Sequence, residues 1–525
     1  MQAAYVMHTA DTPDSRTRST LADGDSERIR LENVRPATWR DPDPSRRYHL
    51  VVIGAGTGGL VSAAIAAGLG ARVALVERHQ MGGDCLNVGC VPSKSLIRSA
   101  RAWHQTRTAA DLFGGPAAQG HGDFSAAMVR MRRLRSGLSA VDSAARYRDL
   151  GVDVFFGEAR FISDDAVALT GSDGRTATLR FRRAILATGG RAAIPSIEGL
   201  ADTGYLTNET VFDLAVLPSR LLVVGGGPIG CELAQAFARF GSAVTILDAG
   251  DRLLSREDAD AARVIKRALA ADGVTIVHSA TVTSARRSNA MRTLTYAVDG
   301  RQHEVEGDAI LVAAGRAPNV EGMDLATAHI RHGPKGIDVN DRFRTGNRRV
   351  FAIGDCASPY QFTHAADAQA RLAVPNALFF GIGGGKASDL VMPWCTYTSP
   401  EVAHTGMTSK EAEEAGASVE TIMIPFRDVD RAVLDGDEEG FLRVYVKRGS
   451  DQVLGATIVT DHAGELISEL TAAIVNGIGL TGLGKTIHPY PTQAESIRKA
   501  ADAHRRGRLT PRVKRLFELF FRVIR

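Results

Sequence analysis

The sequence predicts an α/β fold with two domains of parallel strands and crossing helices, followed by a C-terminal α/β domain. Three observations carry this: a strand, glycine turn, helix and strand unit that occurs twice; apolar strands placed to complete both sheets; and alternation of apolar and polar residues beyond about Pro393.

The first unit runs from His49 to Glu77, with the buried strand Leu50 to Ile53, a glycine turn, an alanine-rich helix and a second strand ending on the acid. The second runs from Arg220 to Asp248: Leu221 to Val224, the turn Gly225 to Gly230, a helix through Phe240, then Ala243 to Leu247. Apolar Ala184 to Leu186 leads into Ala187-Thr188-Gly189, and Ala309 to Val312 leads into Ala313-Ala314-Gly315, so each closes one half. The run Val350 to Gly354, followed by Asp355, is a further buried strand ending in a functional loop. Beyond Pro393, the stretches through Val402, Tyr445 and Ile458 alternate as an antiparallel sheet does, and a helical tail follows.

A chain of 525 residues, 44% apolar and 23% charged, has material for three or four domains. The net charge of +4 is small for this length and argues against a nucleic-acid partner. Five scattered cysteines do not make a secreted disulfide framework, which points to a reducing, cytoplasmic setting. Residues 1–47, rich in Arg, Asp, Ser and Thr, read as a flexible N-terminal extension without a signal-peptide apolar run. No apolar stretch reaches membrane-spanning length.

In the first unit Gly54, Gly56 and Gly59 form G-x-G-x-x-G between strand and helix, with Glu77 at the end of the next strand. The first glycine permits the turn, the second admits a pyrophosphate, and the third lets helix and strand pack closely. Gly225, Gly227 and Gly230 repeat the frame, with Asp248 as the acid. Two such Rossmann-like units imply two dinucleotide sites. A carboxylate there accepts from a ribose 2′-hydroxyl and repels a 2′-phosphate, so Asp248 argues for NADH; the nearby Arg252 and Arg256 leave NADPH possible.

Between the first unit and the next helix lies Gly82-Gly83-Asp84-Cys85-Leu86-Asn87-Val88-Gly89-Cys90-Val91-Pro92-Ser93-Lys94. With this pair of cysteines the chain resembles the class I pyridine nucleotide-disulfide oxidoreductases, which include glutathione reductase, dihydrolipoyl dehydrogenase and mercuric reductase, over nearly all of residues 48–505. The resemblance implies FAD, NAD(P)H, a redox-active Cys85–Cys90 disulfide and a homodimer. It places Cys90 against the flavin as the charge-transfer thiolate and Cys85 as the interchange thiol. It makes Lys94 the cation beside the flavin, with Glu232 as its ion-pair partner. Asp355 would bind the ribityl chain, Thr363 and Ala365 would approach the flavin ring, and Gly83, Thr188, Gly189 and Gly315 would belong to the cofactor-binding turns. Where glutathione reductase has a tyrosine over the nicotinamide pocket, this chain has Pro228.

The C-terminal signature of the family is His-Pro-Thr with a glutamate five residues after the histidine. Here Pro491-Thr492 and Glu495 fix the register and put Tyr490 in the histidine slot. A phenol of pKa about 10 is a poor base at neutral pH, whereas an imidazole near 6.5 shuttles protons readily. Dithiol turnover is thereby disfavoured, and mercuric reductase also has tyrosine at this place. His488, two residues earlier, would point to the same side in an extended segment and could fill the role, although a structural histidine at a subunit interface is preferred. Mercuric reductase does not match throughout: no cysteine follows Cys395 and none precedes Cys85, so neither a C-terminal metal relay nor an N-terminal heavy-metal domain is present. No resident metal site is expected.

The tail beyond Arg505 sets Val513, Leu516, Phe517, Phe520, Phe521 and Ile524 at helical spacing among arginines and lysines. Packing on its own dimer is the first expectation and peripheral contact with an anionic membrane the second. The domains expected are an FAD domain from 48–195 and 316–390, a nicotinamide domain at 196–315, a dimerisation domain at 391–504 and a basic tail at 505–525. The function expected is mercuric reductase-like electron transfer to a small acceptor, whether disulfide, thiophilic metal ion or quinone. A dihydrolipoyl dehydrogenase or other disulfide reductase is the first alternative, and a flavin redox sensor or quinone reductase at a membrane surface the second.

Overall fold

The protein is described by a computed structural model over residues 23–171 and 174–524. The first sheet is parallel in the spatial order Val350–Ala352, Thr176–Leu186, Tyr48–Ile53, Val73–Glu77, Val152–Ser163. Two of its strands are longer than the sequence suggests. The outer halves of Val152–Ser163 and Thr176–Leu186 leave the parallel sheet and pair antiparallel with Ala166–Gly171. Helices Thr57–Gly68 and Thr363–Leu378 cover one face, and Val52, Leu60, Leu75, Ile185, Ala370 and Val374 fill the core between them.

The second sheet has the parallel order Ala309–Val312, Arg220–Val224, Ala243–Leu247, Thr275–Val277. An antiparallel meander, Thr281–Ser288, Met291–Val298 and Arg301–Gly307, precedes its last strand. The third sheet is antiparallel, in the order Trp394–Thr396, Glu401–Gly406, Val453–Thr460, Phe441–Lys447, Val419–Pro425. Helix Ala463–Val475 packs on it.

These units are not separate bodies. One apolar cluster joins Leu96 of helix Cys90–Phe113, Phe124, Phe237 of helix Pro228–Arg239, and Val402 and Phe441 of the third sheet. The helix that starts at Cys90 is thus wedged against the second unit, and this fixes the cysteines relative to both glycine loops.

Most of the expected flexible extension, residues 1–22, lies outside the described residues. The remainder departs from that expectation: Asp23–Val34 is a helix docked on the cysteine segment. Arg30 Nη1 donates to Asn87 Oδ1 at 2.5 Å and to Gln80 Oε1 at 2.6 Å, and Glu27 accepts from Arg135 Nη2 at 3.1 Å. Val34 is buried, and its carbonyl accepts the Met81 N–H at 3.0 Å. The helix carries almost no apolar face, so its composition reads as disordered, while charge pairing with distant residues orders it.

Candidate redox site

Backbone geometry explains the glycine loops. Gly54 has φ +102° and Gly225 φ +111°, a region that L side chains rarely enter, and a Cβ on Gly225 would meet the Ala313 carbonyl oxygen at 2.5 Å. Gly83 presses the cysteine segment onto the first loop: a Cβ there would lie 2.6 Å from Gly56 Cα. By contrast a Cβ on Gly227 would meet nothing within 4 Å, and one on Gly56 only Gly83 Cα at 3.7 Å. The middle glycines therefore border open space at the starts of helices Thr57–Gly68 and Pro228–Arg239, and neither helix has a side-chain cap. Uncapped first-turn N–H groups facing a side-chain-free cradle fit a pyrophosphate in each loop.

Glu77 is buried, and its two oxygens accept the Ala55 and His79 N–H groups, each at 2.7 Å. Burial pushes its carboxyl group up, against the pull of those two donors. Asp248 leans on the second loop, where a Cβ at Gly226 would lie 2.7 Å from its Oδ2. Thr188 Oγ1 donates to the Asn319 carbonyl at 2.7 Å, and Asn319 Nδ2 returns a bond to the Thr188 carbonyl at 3.0 Å. This exchange ties the Thr188-Gly189 turn to the segment after Gly315, where Gly190–Ala192 pairs with Arg316–Pro318. Pro228 is the first residue of its helix, where its fixed φ suits the turn.

Cys90 opens helix Cys90–Phe113, and Thr363 opens helix Thr363–Leu378. Their Sγ and Oγ1 atoms are 3.3 Å apart, so two helix N-termini converge on one sulfur. Ala365 is buried in the first turn of the second helix, which also lacks a side-chain cap, so its first amides are open to an acceptor. The Cys90 thiol is pulled down to about 6, first by the hydrogen bond from Cys85, then by Thr363 and the Lys94 cation, against the cost of burial. Cys85 moves the other way, because it gives its hydrogen bond to the Cys90 sulfur and is itself half-buried. The two shifts are opposite in direction, and Cys90 is the member of the pair favoured as thiolate. Cys231, Cys356 and Cys395 are all pushed up by burial, which leaves their thiols inert.

Lys94 Nζ lies 2.8 Å from Glu232 Oε2 and 4.5 Å from the centre of the Tyr397 ring. Glu232 Oε1 accepts the Tyr397 N–H at 2.9 Å. Burial alone would lower the lysine; Glu232 outweighs it and holds the ammonium charged beside Cys90. Asp355 does not stand alone. Arg316 Nη2 bridges it at 2.9 Å and Asp84 at 2.6 Å, so the residue before Cys85 is tied to Asp355. Sequence reasoning missed Arg316, Asp84 and Tyr397, although Arg316 follows Gly315 directly and Asp84 lies inside the cysteine motif.

The C-terminal residues lie apart. Tyr490 is 70% exposed and its hydroxyl donates to Asp430 Oδ2 at 2.9 Å, which pushes the phenol up. Glu495 is buried, with Oε1 accepting from Arg498 at 2.7 Å and Oε2 without a partner among the described residues. The His488 side chain is only 5% exposed and its Nε2 lies 3.0 Å from Glu469 Oε1, so it does not share the exposed side of Tyr490. Helix Ala463–Val475 holds the imidazole inward and overrides simple strand alternation. Among the described residues no hydrogen bond or ion pair joins Tyr490, His488 or Glu495 to the cysteine pair of the same chain.

Comparison with known proteins agrees with this geometry. The family model described as pyridine nucleotide-disulphide oxidoreductase matches residues 48–370, and that of its dimerisation domain matches 392–501, which supports a homodimer. Mercuric reductase of Lysinibacillus sphaericus is 33% identical over 86% of this chain and 82% of its own length. Dihydrolipoyl dehydrogenase of Haloferax volcanii is 34% identical over 86% and 95%. Among solved structures, the Cu(II) complex of the HOCl-induced flavoprotein disulfide reductase RclA from Escherichia coli superposes with TM-score 0.77 at 27% identity, covering 87% of this chain and all of that one. LpdA from Mycobacterium tuberculosis superposes with TM-score 0.78 at 29% identity, covering 87% and 99%. The chain belongs to the pyridine nucleotide-disulphide oxidoreductase family and is an FAD-dependent enzyme with a redox-active disulfide.

Proposed function

We propose that the chain is an NADH-driven reductase of a thiophilic metal ion, of the mercuric reductase type. The observation that carries this reading is Tyr490, which stands where the family resemblance puts the proton-shuttling histidine that each active site borrows from the partner subunit; its hydroxyl donates to Asp430 and its pKa is pushed up. A dithiol substrate must lose two protons as it is oxidised, whereas a soft metal ion bound as a dithiolate asks for no proton at the acceptor.

FAD, when bound, supplies the two-electron relay between the nicotinamide hydride and sulfur. The chain supplies the rest. The cradles at Gly56 and Gly227 seat the two dinucleotides, and Asp248 favours a free ribose diol. Arg252 donates to the Ser255 carbonyl at 3.2 Å. Lys94, kept charged by Glu232, holds Cys90 as thiolate, and Cys85 carries the proton until an acceptor takes its place. With the pair reduced, the balance is NADH + Hg(II) → NAD⁺ + H⁺ + Hg(0), with the metal held by both sulfurs. The metal is captured by the Cys85–Cys90 pair itself.

The test is anaerobic oxidation of NADH and of NADPH by the purified holoenzyme, with Hg(II) in excess thiol, lipoamide and a soluble quinone as parallel acceptors. Turnover with Hg(II) and almost none with lipoamide supports the proposal. Fast lipoamide turnover overturns the weight placed on Tyr490, and activity with the quinone alone transfers the protein to another acceptor class.

A further inference from the structure

Helix Pro511–Val523 buries none of its residues and lies beyond the part of the chain matched by the family models. It starts on a sound cap, with Thr510 Oγ1 accepting the Val513 N–H, and Pro511 at its first position. Its apolar side chains have nothing over them: Leu516, Phe517, Leu519, Phe520, Phe521, Val523 and the following Ile524 are each between 49% and 83% exposed. At about 100° per residue these positions sweep an arc of about 200°, and Lys514, Arg515, Glu518 and Arg522 share the opposite face. From Arg505 to Ile524 there are seven basic residues and one acid. Arg506, Arg512, Lys514, Arg515 and Arg522 have no ion pair among the described residues.

We propose that this helix lies in the interface of an anionic phospholipid bilayer, apolar arc inward and arginines against the phosphates. Charge decides between a bilayer and a second copy of the chain. Pairing of this segment with its own copy across a two-fold axis would set seven basic residues against seven. An anionic surface neutralises that charge and accepts a broad apolar arc without needing a shaped groove. The contact is peripheral: among the described residues no helix is long and apolar enough to cross a membrane. The proposal does not depend on which acceptor the redox site serves.

Cosedimentation of the full-length holoenzyme with vesicles tests it, using phosphatidylcholine alone and phosphatidylcholine with an equal part of phosphatidylglycerol. Roughly tenfold more protein should bind the anionic vesicles, and raised salt should weaken binding. Ending the chain at Leu509, or the triple change R512E/K514E/R515E, should abolish the excess while NADH still reduces the flavin and the protein remains dimeric. Phe520→Trp should shift its fluorescence to the blue on anionic vesicles only. Equal binding to both vesicles, or undiminished binding by the shortened chain, would overturn the proposal. So would loss of the dimer on shortening, which assigns the helix to a second copy.

Discussion

Lys94 Nζ lies 2.8 Å from Glu232 Oε2, and this pair ties the helix that begins at Cys90 to the helix that begins at the second glycine loop. Its first consequence is electrostatic. Lys94→Met removes a cation from beside the Cys90 sulfur, so the thiolate should form at higher pH, and it strands a buried carboxylate. We expect a loss of about 1–3 kcal/mol, below the figure for a fully buried pair because Lys94 keeps contact with water. Denaturant unfolding of the holoenzyme measures the stability, and thiolate absorbance measures the titration. An unshifted titration would remove Lys94 from the account.

The reduced enzyme should show one thiolate appearing at about pH 6 and the second only above the ordinary thiol range. The sign follows from which state the fold favours. Cys90 is depressed from about 8.5, so its stabilising contribution is complete above that value and is lost as pH falls through about 6. Ultraviolet absorbance of the thiolate from pH 4 to 10 (roughly the span of ordinary thiol titration) reads this directly. Two ordinary, independent titrations would contradict it.

Arg30→Ala tests the N-terminal helix. Arg30 donates to Asn87, which lies between the two cysteines, and Arg135 donates to the Asn87 carbonyl at 2.8 Å. Losing the guanidinium leaves Asn87 Oδ1 unpaired and should cost about 1–3 kcal/mol. The change should also speed alkylation of Cys85 in the reduced enzyme, as the loop loosens. Unaltered stability and alkylation would make the helix an ornament of the fold.

Tyr490→His restores a base of ordinary imidazole pKa at an exposed position. Lipoamide turnover should rise by roughly tenfold or more, since positioned general bases are worth about 10²–10⁴, while turnover with Hg(II) should stay unchanged. Parallel steady-state assays decide it, and a rise with Hg(II) instead would mean that the metal reaction is limited by a proton.

What the sequence made legible follows from chain locality. Each glycine loop, its strand and its acid lie within one βαβ unit, so periodicity and spacing suffice to read them. Cys85, Cys90 and Lys94 stand close together in one segment, but their expected roles came from the family resemblance. Glu232 was placed opposite Lys94 only through family resemblance, because 138 residues separate them. The Arg316 bridge between Asp84 and Asp355 has no local signature at all. Helix Asp23–Val34 was misread because its order comes from Asn87, Gln80 and Arg135 rather than from its own apolar pattern. The place of His488 has no local signature, because alternation assumes a regular strand and Glu469 draws the ring inward.

The most direct test of the central claim, that Cys90 is the flavin-facing thiolate and Cys85 its exchange partner, is anaerobic NADH titration of the wild type, Cys85→Ser and Cys90→Ser, followed by long-wavelength absorbance. The account predicts the charge-transfer band in the reduced wild type and in Cys85→Ser, and none in Cys90→Ser. A band that persists in Cys90→Ser and vanishes in Cys85→Ser would reverse the assignment.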